Sequence, residues 1–312
     1  MNTSDKIYVA GHNGLVGSAI IRRLKRSGYN SIVGRSSTEL DLRMKEDVQS
    51  FFNKEKPDYV FLAAAKVGGI NANNKYPADF IYQNLEIQNN VIQAAYRQGV
   101  KKLIFLGSSC IYPRECMQPI KEEYLLSGHL EPTNEAYAVA KIAGIKMCQS
   151  FNKQYNTNFI SVMPTNLYGP NDNFDIESSH VLPAMLSKFH QAKVNGLSFV
   201  ELWGDGSPKR EFLYVDDMAE ACIFLMNNYD SGEIVNIGTG KDITIKELAD
   251  NIKAITGYDG EIRWNKEMPN GTPRKLLDVG KLTNLGWRYK TELYEGITKT
   301  YDWYKNNIGL ER

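Results

Sequence analysis

Short apolar runs alternate with longer amphipathic stretches through the first half of the chain. An apolar run of about four to eight residues indicates a buried strand, whereas apolar side chains recurring with the helical period indicate a helix. This pattern predicts the strands Ile7–Ala10, Ser31–Val33, Tyr59–Ala63, Leu103–Leu106 and Phe159–Met163. It predicts helices between them at Leu15–Lys25, Val48–Lys54, Asp79–Arg97 and Ala136–Tyr155. The alternation predicts an α/β fold with a doubly wound parallel sheet of the Rossmann type.

The second half of the chain is less regular. Polar stretches rich in glycine and proline, Asn166–Ser179 and Gly204–Arg210, separate short apolar segments. Helices are predicted near Ile245–Ile255 and Tyr294–Tyr304. We therefore expect a Rossmann domain over residues 1–165, to which later segments also contribute. A smaller, less regular portion over residues 166–312 is expected to fold over the ligand-binding edge of the sheet.

Composition and charge exclude several classes of protein. Apolar residues make up 42% and charged residues 23% of the 312 residues, a mixture typical of globular proteins. The net charge of +1 offers no general field for nucleic acid or an anionic membrane. The longest clean apolar run, Tyr59 to Ala65, is far shorter than the ~20 residues of a membrane span. Four cysteines without CxxC spacing and no apolar signal segment favour a cytoplasmic protein without a metal site.

Three glycines follow the first predicted strand and open the first predicted helix. They lie in the segment Gly11-His12-Asn13-Gly14-Leu15-Val16-Gly17. Glycines at such positions allow a tight turn and a close approach of the backbone to a pyrophosphate, which the free N–H groups of the helix N-terminus can bind. The segment therefore predicts dinucleotide binding, with the backbone rather than the ring of His12 in contact with the cofactor.

The end of the second predicted strand indicates which dinucleotide is bound. A site for NAD carries an acidic residue there for the ribose hydroxyls. This chain instead has Arg35 followed by two serines, Ser36 and Ser37. A cation with hydroxyl groups suits a 2′-phosphate, so the sequence favours NADPH. The alternative is a solvated arginine at a strand end.

Tyr137 and Lys141 lie four residues apart in a predicted helix and therefore share one face. A lysine ammonium near a tyrosine favours the phenolate and makes the hydroxyl a better proton donor and acceptor at neutral pH. Ser108, at the end of the fourth predicted strand, is placed to hydrogen-bond a reacting carbonyl oxygen. Glycine turn, strand-end serine and Tyr/Lys helix resemble the extended short-chain dehydrogenase/reductase superfamily in order and spacing.

Several longer segments narrow this resemblance. They are Ala63–Ile70, Tyr76–Asn84, Gly107–Pro113, Glu131–Glu135, Met163–Pro170, His180–Pro183 and Gly271–Lys275. Together they resemble the GDP-L-fucose synthase family. The resemblance implies NADPH-dependent 3,5-epimerisation and 4-reduction of GDP-4-keto-6-deoxy-D-mannose to GDP-L-fucose. It implies that Ser108, Tyr137 and Lys141 carry the reduction, while Cys110 and His180 carry the epimerisation.

The resemblance also implies which residues bind the ligands. The implied cofactor site consists of Gly11, His12, Asn13, Gly14, Leu15, Val16, Gly17, Arg35, Ser37, Asp41, Leu42, Leu106, Gly107, Ser108, Ser109, Lys141, Pro164, Thr165, Asn166, Leu167 and His180. For the sugar nucleotide, Arg210 supplies a cation for the diphosphate and Trp203 an aromatic surface for the base. Lys188 and Asp278 are further candidates by resemblance. The alternative for Trp203 is a buried core aromatic.

Cysteine and histidine suit the implied epimerisation chemically. A ketone at C4 acidifies the C–H bonds at C3 and C5, because either carbanion becomes an enolate on the same oxygen. Inversion then requires a base on one face and an acid on the other. With unperturbed pKa values near ~8.5 and ~6.5, cysteine and histidine exchange protons readily near neutrality. The alternatives are an apolar filler at a strand end for Cys110 and a helix-cap residue for His180.

Two other functions remain open at this stage. A nucleotide-sugar 4-epimerase or 4,6-dehydratase on the same scaffold retains NAD and returns the hydride to the sugar; Arg35 and the Cys110/His180 pair argue against it. A non-catalytic dinucleotide sensor typically loses the Tyr/Lys pair, which is present here. We also expect a homodimer, because the corresponding two long helices pack against a second subunit in this superfamily.

Overall fold

The computed structural model describes residues 1–176, 178–268 and 270–308. Its strands are β1 Ile7–Ala10, β2 Ile32–Val33, β3 Tyr59–Leu62, β4 Lys102–Leu106, β5 Phe159–Pro164, β6 Asn166–Tyr168, β7 Phe199–Trp203, β8 Lys209–Tyr214, β9 Val235–Ile237, β10 Asp242–Thr244, β11 Glu261–Asn265 and β12 Arg274–Lys275. Its α-helices are α1 Leu15–Arg26, α2 Lys45–Glu55, α3 Ile70–Lys75, α4 Pro77–Gln98, α5 Glu135–Tyr155, α6 Val181–Val194, α7 Val215–Asn228, α8 Ile245–Thr256, α9 Gly280–Asn284 and α10 Leu293–Asn307. Short 3₁₀ turns span Ser109–Ile111, Glu122–Tyr124 and Pro132–Asn134.

The central sheet has six parallel strands in the order β2-β1-β3-β4-β5-β9. The chain leaves β1 towards one edge to form β2 and then crosses back to form β3 on the other side of β1. In open α/β sheets, ligands bind beyond the carboxyl ends of the strands at such a reversal. The predicted doubly wound parallel sheet is therefore confirmed, and the crevice between β1 and β3 is the expected cofactor site.

Helices cover both faces of the central sheet. Ile7 and Val9 of β1 pack into a core on the side of α1 and α7. Tyr8 and Ala10 pack into a second core on the side of α2, α4 and α5. Because both faces are buried, the strands are continuous apolar runs rather than alternating patterns. This burial explains why β1, β3, β4 and β5 were recognisable in the sequence.

The sixth strand and one covering helix come from the second half of the chain. β9 pairs with β5. Helix α7 packs against α1, where Arg22 forms a 2.6 Å ion pair with Asp216 and Arg23 a 3.2 Å ion pair with Glu220. Residues after 165 thus complete the Rossmann sheet and its cover, while the division of the chain at residue 165 stays a prediction.

The remaining elements form a smaller unit at the carboxyl edge of the central sheet. Strand β8 pairs with β10, β12 and β6, and β11 pairs with β7. Helices α6, α8 and α10 pack around a third apolar core that includes Phe189, Leu248, Ile252 and Tyr304. Among the described helices, none is both long and apolar enough to cross a membrane.

Candidate active site

The glycine turn after β1 is packed too tightly for side chains. Gly11 has a φ of +81°, and a Cβ there would lie 2.7 Å from the backbone nitrogen of Ala64, just after β3. A Cβ on Gly17 would overlap the carbonyl oxygen of Gly11. Gly14 precedes α1, and no side chain caps that helix end. The close backbone and the N-terminus of α1, which no side chain caps, fit a pyrophosphate.

The His12 ring packs on the end of β2. A Cβ on Gly34 would lie 2.7 Å from Cδ2 of His12, so the ring occupies the space that a side chain at position 34 would fill. This contact joins the glycine turn to the segment that carries Arg35. It gives the imidazole a packing role, and the predicted contact of the His12 backbone with the cofactor stays a prediction.

The guanidinium of Arg35 is held in place rather than freely solvated. Its Nη2 lies 2.9 Å from Oε1 of Glu55, and its Nη1 donates to the carbonyl oxygen of Gly34 at 2.7 Å. It also lies over the Phe51 ring, 5.7 Å from the ring centre. Lys6 is a second cation on Glu55, at 3.4 Å. A 2′-phosphate at this strand end would share Arg35 with a carboxylate.

The other predicted cofactor residues near β2 lie in the loop that leads to α2. The carboxylate of Asp41 forms a 2.6 Å ion pair with Arg43. Hydrogen bonds from the side chain and backbone of Arg43 lower the pKa of Asp41. The carbonyl oxygen of Leu42 accepts a 3.0 Å hydrogen bond from Asn90 on α4. Ser37 is exposed in the same loop. Asp41 and Leu42 thus fix this loop, and their role in cofactor binding stays a prediction.

The predicted residues after β5 contact β8. Pro164 ends β5, and Leu167 lies in β6, partly buried against the core. The hydroxyl of Thr165 donates to the carbonyl oxygen of Glu211 at 3.2 Å, and the amide of Asn166 donates to the same oxygen at 2.8 Å. These bonds fix the chain where it passes from the Rossmann sheet into the C-terminal portion.

Glu211 is a buried residue that the sequence did not single out. Its Oε1 accepts hydrogen bonds from the backbone nitrogens of Thr239 at 2.6 Å and Gly240 at 2.7 Å, and its Oε2 from that of Leu277 at 2.9 Å. Burial raises the pKa of the carboxyl, while these backbone bonds oppose the rise. One side chain thereby holds the turn after β9 and the segment after β12 against β8. In the sequence it follows Lys209 and Arg210 at the charged end of β8, so the local pattern gave no signal of its burial.

The predicted reducing residues meet at the end of β4. Ser108 caps the 3₁₀ turn that follows β4, accepting a 3.2 Å hydrogen bond from the backbone nitrogen of Cys110. The Lys141 ammonium donates to the carbonyl oxygen of Leu106 at 2.8 Å and lies 5.8 Å from the centre of the Tyr137 ring. The structure therefore brings the strand-end serine and the Tyr/Lys helix together.

Burial dominates the acid–base properties of this pair. Desolvation lowers the pKa of Lys141 to about 7. Desolvation also raises the pKa of Tyr137, and a hydrogen bond with Ser108 opposes the rise. The sequence predicted a tyrosine made more acidic by its lysine neighbour. The low-dielectric site instead disfavours the charged form of both groups.

The strand end itself is closely packed. The backbone nitrogen of Gly107 donates to the carbonyl oxygen of Val162 at 2.9 Å, and a Cβ on Gly107 would lie 2.7 Å from Cε of Met163. Ser109 is buried. Glycine at position 107 thus lets β4 and β5 stay together at the point where the chain turns towards Cys110.

Cys110 lies in the same turn as Ser108 and has two nitrogen neighbours. The amide nitrogen of Asn134 lies 3.3 Å from its sulfur, and the ammonium of Lys275 lies 3.7 Å away. The side chain is partly exposed and belongs to a small cleft. Polar contacts of this kind are unlike those of an apolar filler, so the geometry favours a chemical role.

His180 precedes α6 and is exposed. The surrounding protein removes part of its hydration and lowers the pKa of the imidazole. In the described part of the chain, no hydrogen bond joins His180 to Cys110. The segments that carry His180 and Cys110 are connected indirectly. The nitrogen of Gly69 donates to the carbonyl oxygen of Ser178 at 2.9 Å, close to His180 in the chain. Helix α3, which follows Gly69, packs against the turn that carries Asn134, a neighbour of Cys110.

The candidate substrate residues lie in the C-terminal portion. Arg210 of β8 donates to the carbonyl oxygen of Lys209 at 2.8 Å, and burial lowers the pKa of its guanidinium. The ammonium of Lys188 on α6 donates to the carbonyl oxygen of Glu201 on β7 at 3.4 Å. Burial lowers the pKa of Lys188 as well. Two partly desolvated cations suit an anionic ligand.

The structure supports a ligand contact for one of the two other candidates, Trp203 and Asp278, but not for both. Trp203 ends β7 with 46% of its side chain exposed, so its interpretation as a core aromatic is wrong. The backbone of Asp278 bonds to Ile120 and Asn236, while its side-chain Oδ1 accepts a 2.8 Å hydrogen bond from the nitrogen of Gly280 at the start of α9. Trp203 therefore offers a free aromatic surface, while the part of Asp278 in substrate binding stays a prediction.

Fold and site together define a dinucleotide-dependent enzyme with a Ser/Tyr/Lys centre and a cysteine beside it. Residues 7–238 match the model of the NAD dependent epimerase/dehydratase family, and the chain belongs to this family. It is 59% identical to GDP-L-fucose synthase 1 of Arabidopsis thaliana, over 98% of this chain and 94% of that protein. The predicted resemblance is therefore confirmed.

Two solved structures are also similar to this chain. A GDP-L-fucose synthetase from Naegleria fowleri bound to NADP has a TM-score of 0.93 at 31% identity, covering 99% of this chain and 97% of that one. A GDP-6-OMe-4-keto-L-xylo-heptose reductase from C. jejuni has a TM-score of 0.94 at 42% identity, covering 98% and 99%. The second of these proteins is named as a reductase without an epimerase activity. The residues that could invert C3 and C5, Cys110 and His180, therefore distinguish a synthase from a simple reductase.

Proposed function

We propose that the chain converts GDP-4-keto-6-deoxy-D-mannose to GDP-L-fucose by 3,5-epimerisation and NADPH-dependent 4-reduction. The observation that carries the proposal is the turn after β4, which holds Ser108 and Cys110 two residues apart beside Tyr137. One enolate oxygen can then be stabilised by the serine and tyrosine hydroxyls while the thiol exchanges protons at the neighbouring carbons.

The residues at the crevice fit NADPH, which supplies the hydride when bound. The glycine turn and the N-terminus of α1 hold its pyrophosphate, and Arg35 at the end of β2 holds its 2′-phosphate. Leu106 to Ser109 and Pro164 to Leu167, at the ends of β4 and β5, would line its binding crevice. Lys141 and His180 complete this set of protein groups.

In the reduction, Tyr137 donates a proton to the C4 oxygen as the ketone becomes an alcohol. Ser108 donates a hydrogen bond to the same oxygen and is held for this by its bond from the Cys110 nitrogen. Lys141, fixed by the carbonyl oxygen of Leu106, stabilises the negative charge left on the tyrosine. General acid catalysis of this kind contributes about 10²- to 10⁴-fold to the rate.

In the epimerisation, Cys110 removes the proton at C3 and at C5, and His180 returns a proton from the opposite face. The ketone oxygen collects the negative charge of each enolate, and Tyr137 and Ser108 stabilise it there. Desolvation lowers the pKa of His180, so its imidazolium is a stronger acid than a solvated one. The sugar must therefore lie between the turn after β4 and the segment before α6.

The sugar nucleotide is placed by the C-terminal portion. Arg210 and Lys188 bind the diphosphate, and the exposed face of Trp203 stacks on the base. Asp278 contributes through a hydrogen bond to the nucleotide. Since the cations are partly desolvated before binding, their charges act strongly on an anionic ligand.

We also propose a cytoplasmic homodimer. The described cysteines are free, as in a reducing compartment. Helices α4 and α5 pack on each other, with Gln88 donating a 2.6 Å hydrogen bond to the carbonyl oxygen of Ala140. Their outer faces expose Tyr82 at 61% and Val139 at 40%, which suits burial against a second subunit. A monomeric mass by light scattering at micromolar concentration would contradict the dimer.

The activity is tested by incubating the purified protein with GDP-4-keto-6-deoxy-D-mannose and NADPH and identifying the product by NMR. GDP-L-fucose, formed with consumption of one NADPH per sugar, supports the proposal. A product reduced at C4 without inversion at C3 and C5 would instead make the chain a simple reductase. Cofactor that copurifies with the protein and is not consumed would favour a 4-epimerase or 4,6-dehydratase.

A further inference from the structure

Lys275 joins the two halves of the site. It lies in β12, where it is paired in register with Arg210 of β8. Its ammonium approaches the sulfur of Cys110 to 3.7 Å, across 165 positions of the chain. The fold thus places a cation from the C-terminal portion against the cysteine that follows β4.

The other charges around Cys110 are already paired. Arg114 lies 3.6 Å from Glu131, and Arg274 lies 2.5 Å from Asp242. Within residues 1–176, 178–268 and 270–308, Lys275 forms no ion pair with a carboxylate. Its positive charge therefore has no carboxylate partner among the described residues, and the sulfur of Cys110 accepts from it.

Two further titratable groups face this cluster. Tyr137, on α5, interacts electrostatically with Cys110, and any negative charge on it would oppose a thiolate. Cys116 is half-buried; burial raises the pKa of its thiol, and the charge of Lys275 opposes the rise. Lys275 is thus the group that favours negative charge on sulfur in this part of the site.

We propose that Lys275 is a positioning residue that holds Cys110 as a thiolate directed at the sugar. This inference rests on the proposed function, in which Cys110 removes the protons at C3 and C5. A lysine ammonium has only donors and contacts the sulfur as a donor, so the contact strengthens when the thiol loses its proton. When Cys110 accepts a proton from carbon, this electrostatic stabilisation is lost and the proton can be released again.

Asn134 has a different part in the same contact. Its amide donates to the sulfur at 3.3 Å but carries no net charge. A carboxamide can donate to a thiolate or accept from a thiol, so it orients the sulfur in both protonation states. The charge of Lys275, rather than the amide of Asn134, therefore sets the balance between thiol and thiolate.

The test measures the rate of alkylation of Cys110 by iodoacetamide as a function of pH. Trypsin cleaves after Arg114, so mass spectrometry reports Cys110 separately from Cys116. Lys275→Met should move the pH midpoint of Cys110 alkylation upward by about one unit or more, since an opposite charge at such a distance changes a pKa by about 1–3 units. Lys275→Arg should largely restore the wild-type midpoint.

Lys209→Met is the matched control. Lys209 is the β8 neighbour of Arg210 and pairs in register with Arg274, so this variant removes a nearby positive charge without touching the sulfur. It should leave the midpoint within about 0.3 units of wild type, as a charge beyond direct contact is screened. A midpoint unchanged in Lys275→Met, in a protein that melts at the wild-type temperature, would overturn the proposal.

A second measurement separates this inference from the function on which it rests. Lys275→Met should also slow the entry of solvent deuterium into C3 and C5 of the substrate by about tenfold at pH 7, which is the loss of thiolate expected for one unit. If the alkylation midpoint moves while deuterium exchange keeps its wild-type rate, the role of Lys275 towards Cys110 stands. The assignment of Cys110 as the base then fails.

Discussion

The ammonium nitrogen of Lys141 lies 2.8 Å from the carbonyl oxygen of Leu106, at the last position of β4. This bond joins α5 to the strand whose end carries Ser108, so the tyrosine on α5 and the serine keep a fixed separation. Lys141 makes the bond while buried, and desolvation lowers its pKa to about 7. The protein therefore maintains this geometry with a lysine whose pKa lies far below its usual value.

The perturbed lysine predicts a pH dependence of stability. In the unfolded chain, the pKa of Lys141 is near ~10.4. Between about pH 7 and pH 10, the unfolded state binds more protons, so the free energy of unfolding should rise with pH through this window. Lys141→Met removes the contribution. Urea unfolding of both proteins at several pH values should show wild type gaining stability relative to the variant, and a constant difference would contradict the lowered pKa.

Arg35 should determine the preference for NADPH. A charge-assisted hydrogen bond is worth about 1.5–3 kcal/mol, so Arg35→Met should raise the KM for NADPH by about tenfold or more. The KM for NADH, which lacks the 2′-phosphate, should change by less than about threefold. Lys6→Met is the control, because Lys6 pairs with the same Glu55 but lies before β1 rather than after β2. Equal losses for both cofactors in Arg35→Met would show that this arginine acts only in folding.

Trp203 should contribute to binding of the nucleotide base and not to the chemistry. Loss of a stacking aromatic costs about 1–3 kcal/mol. Trp203→Ala should therefore raise the KM for the GDP-sugar by about tenfold while kcat stays within about twofold. Phe199→Ala is the control, since Phe199 lies in the same strand, is 39% exposed and already packs under Arg263. If both variants behave alike, Trp203 does not bind the base.

Glu211 should be important for stability. In Glu211→Gln, an amide N–H₂ group replaces one carboxylate oxygen and faces backbone N–H donors of Thr239, Gly240 or Leu277. A buried donor without an acceptor costs about 1–3 kcal/mol. Chemical denaturation should show a loss of that size. Glu247→Gln, at the exposed start of α8, is the matched control and should cost less than about 1 kcal/mol. An unchanged midpoint for Glu211→Gln would contradict this role.

Buried parallel strands made most of the Rossmann sheet predictable. β1 begins and ends where its apolar run does, and the helices α1, α4 and α5 agree with the predictions within a few residues. The sequence did not predict β9 or α7. A strand of three residues has no measurable period, and α7 is buried on most of its surface, so it lacks a clear polar face.

The site was predictable where a single segment carries the chemistry. Arg35 follows from its distance to the glycine turn, whereas the role of Cys110 was implied by the family resemblance and stays a prediction. Lys275 and Glu211 could not be predicted, because their roles depend on contacts between segments far apart in the chain. Trp203 shows the same limit, since exposure depends on which face of β7 packs inward.

The central claim is that one site performs both proton exchange at carbon and reduction. The most direct test incubates the protein with GDP-4-keto-6-deoxy-D-mannose in D₂O and follows deuterium at C3 and C5 by NMR, for wild type and Cys110→Ser. A serine hydroxyl is a far weaker base at neutral pH, so deuterium should enter the variant at least about a hundredfold more slowly. Slow reduction of the unepimerised ketone by NADPH should persist, because Ser108, Tyr137 and Lys141 are intact. Deuterium entering Cys110→Ser at the wild-type rate would contradict the assignment of Cys110 as the base.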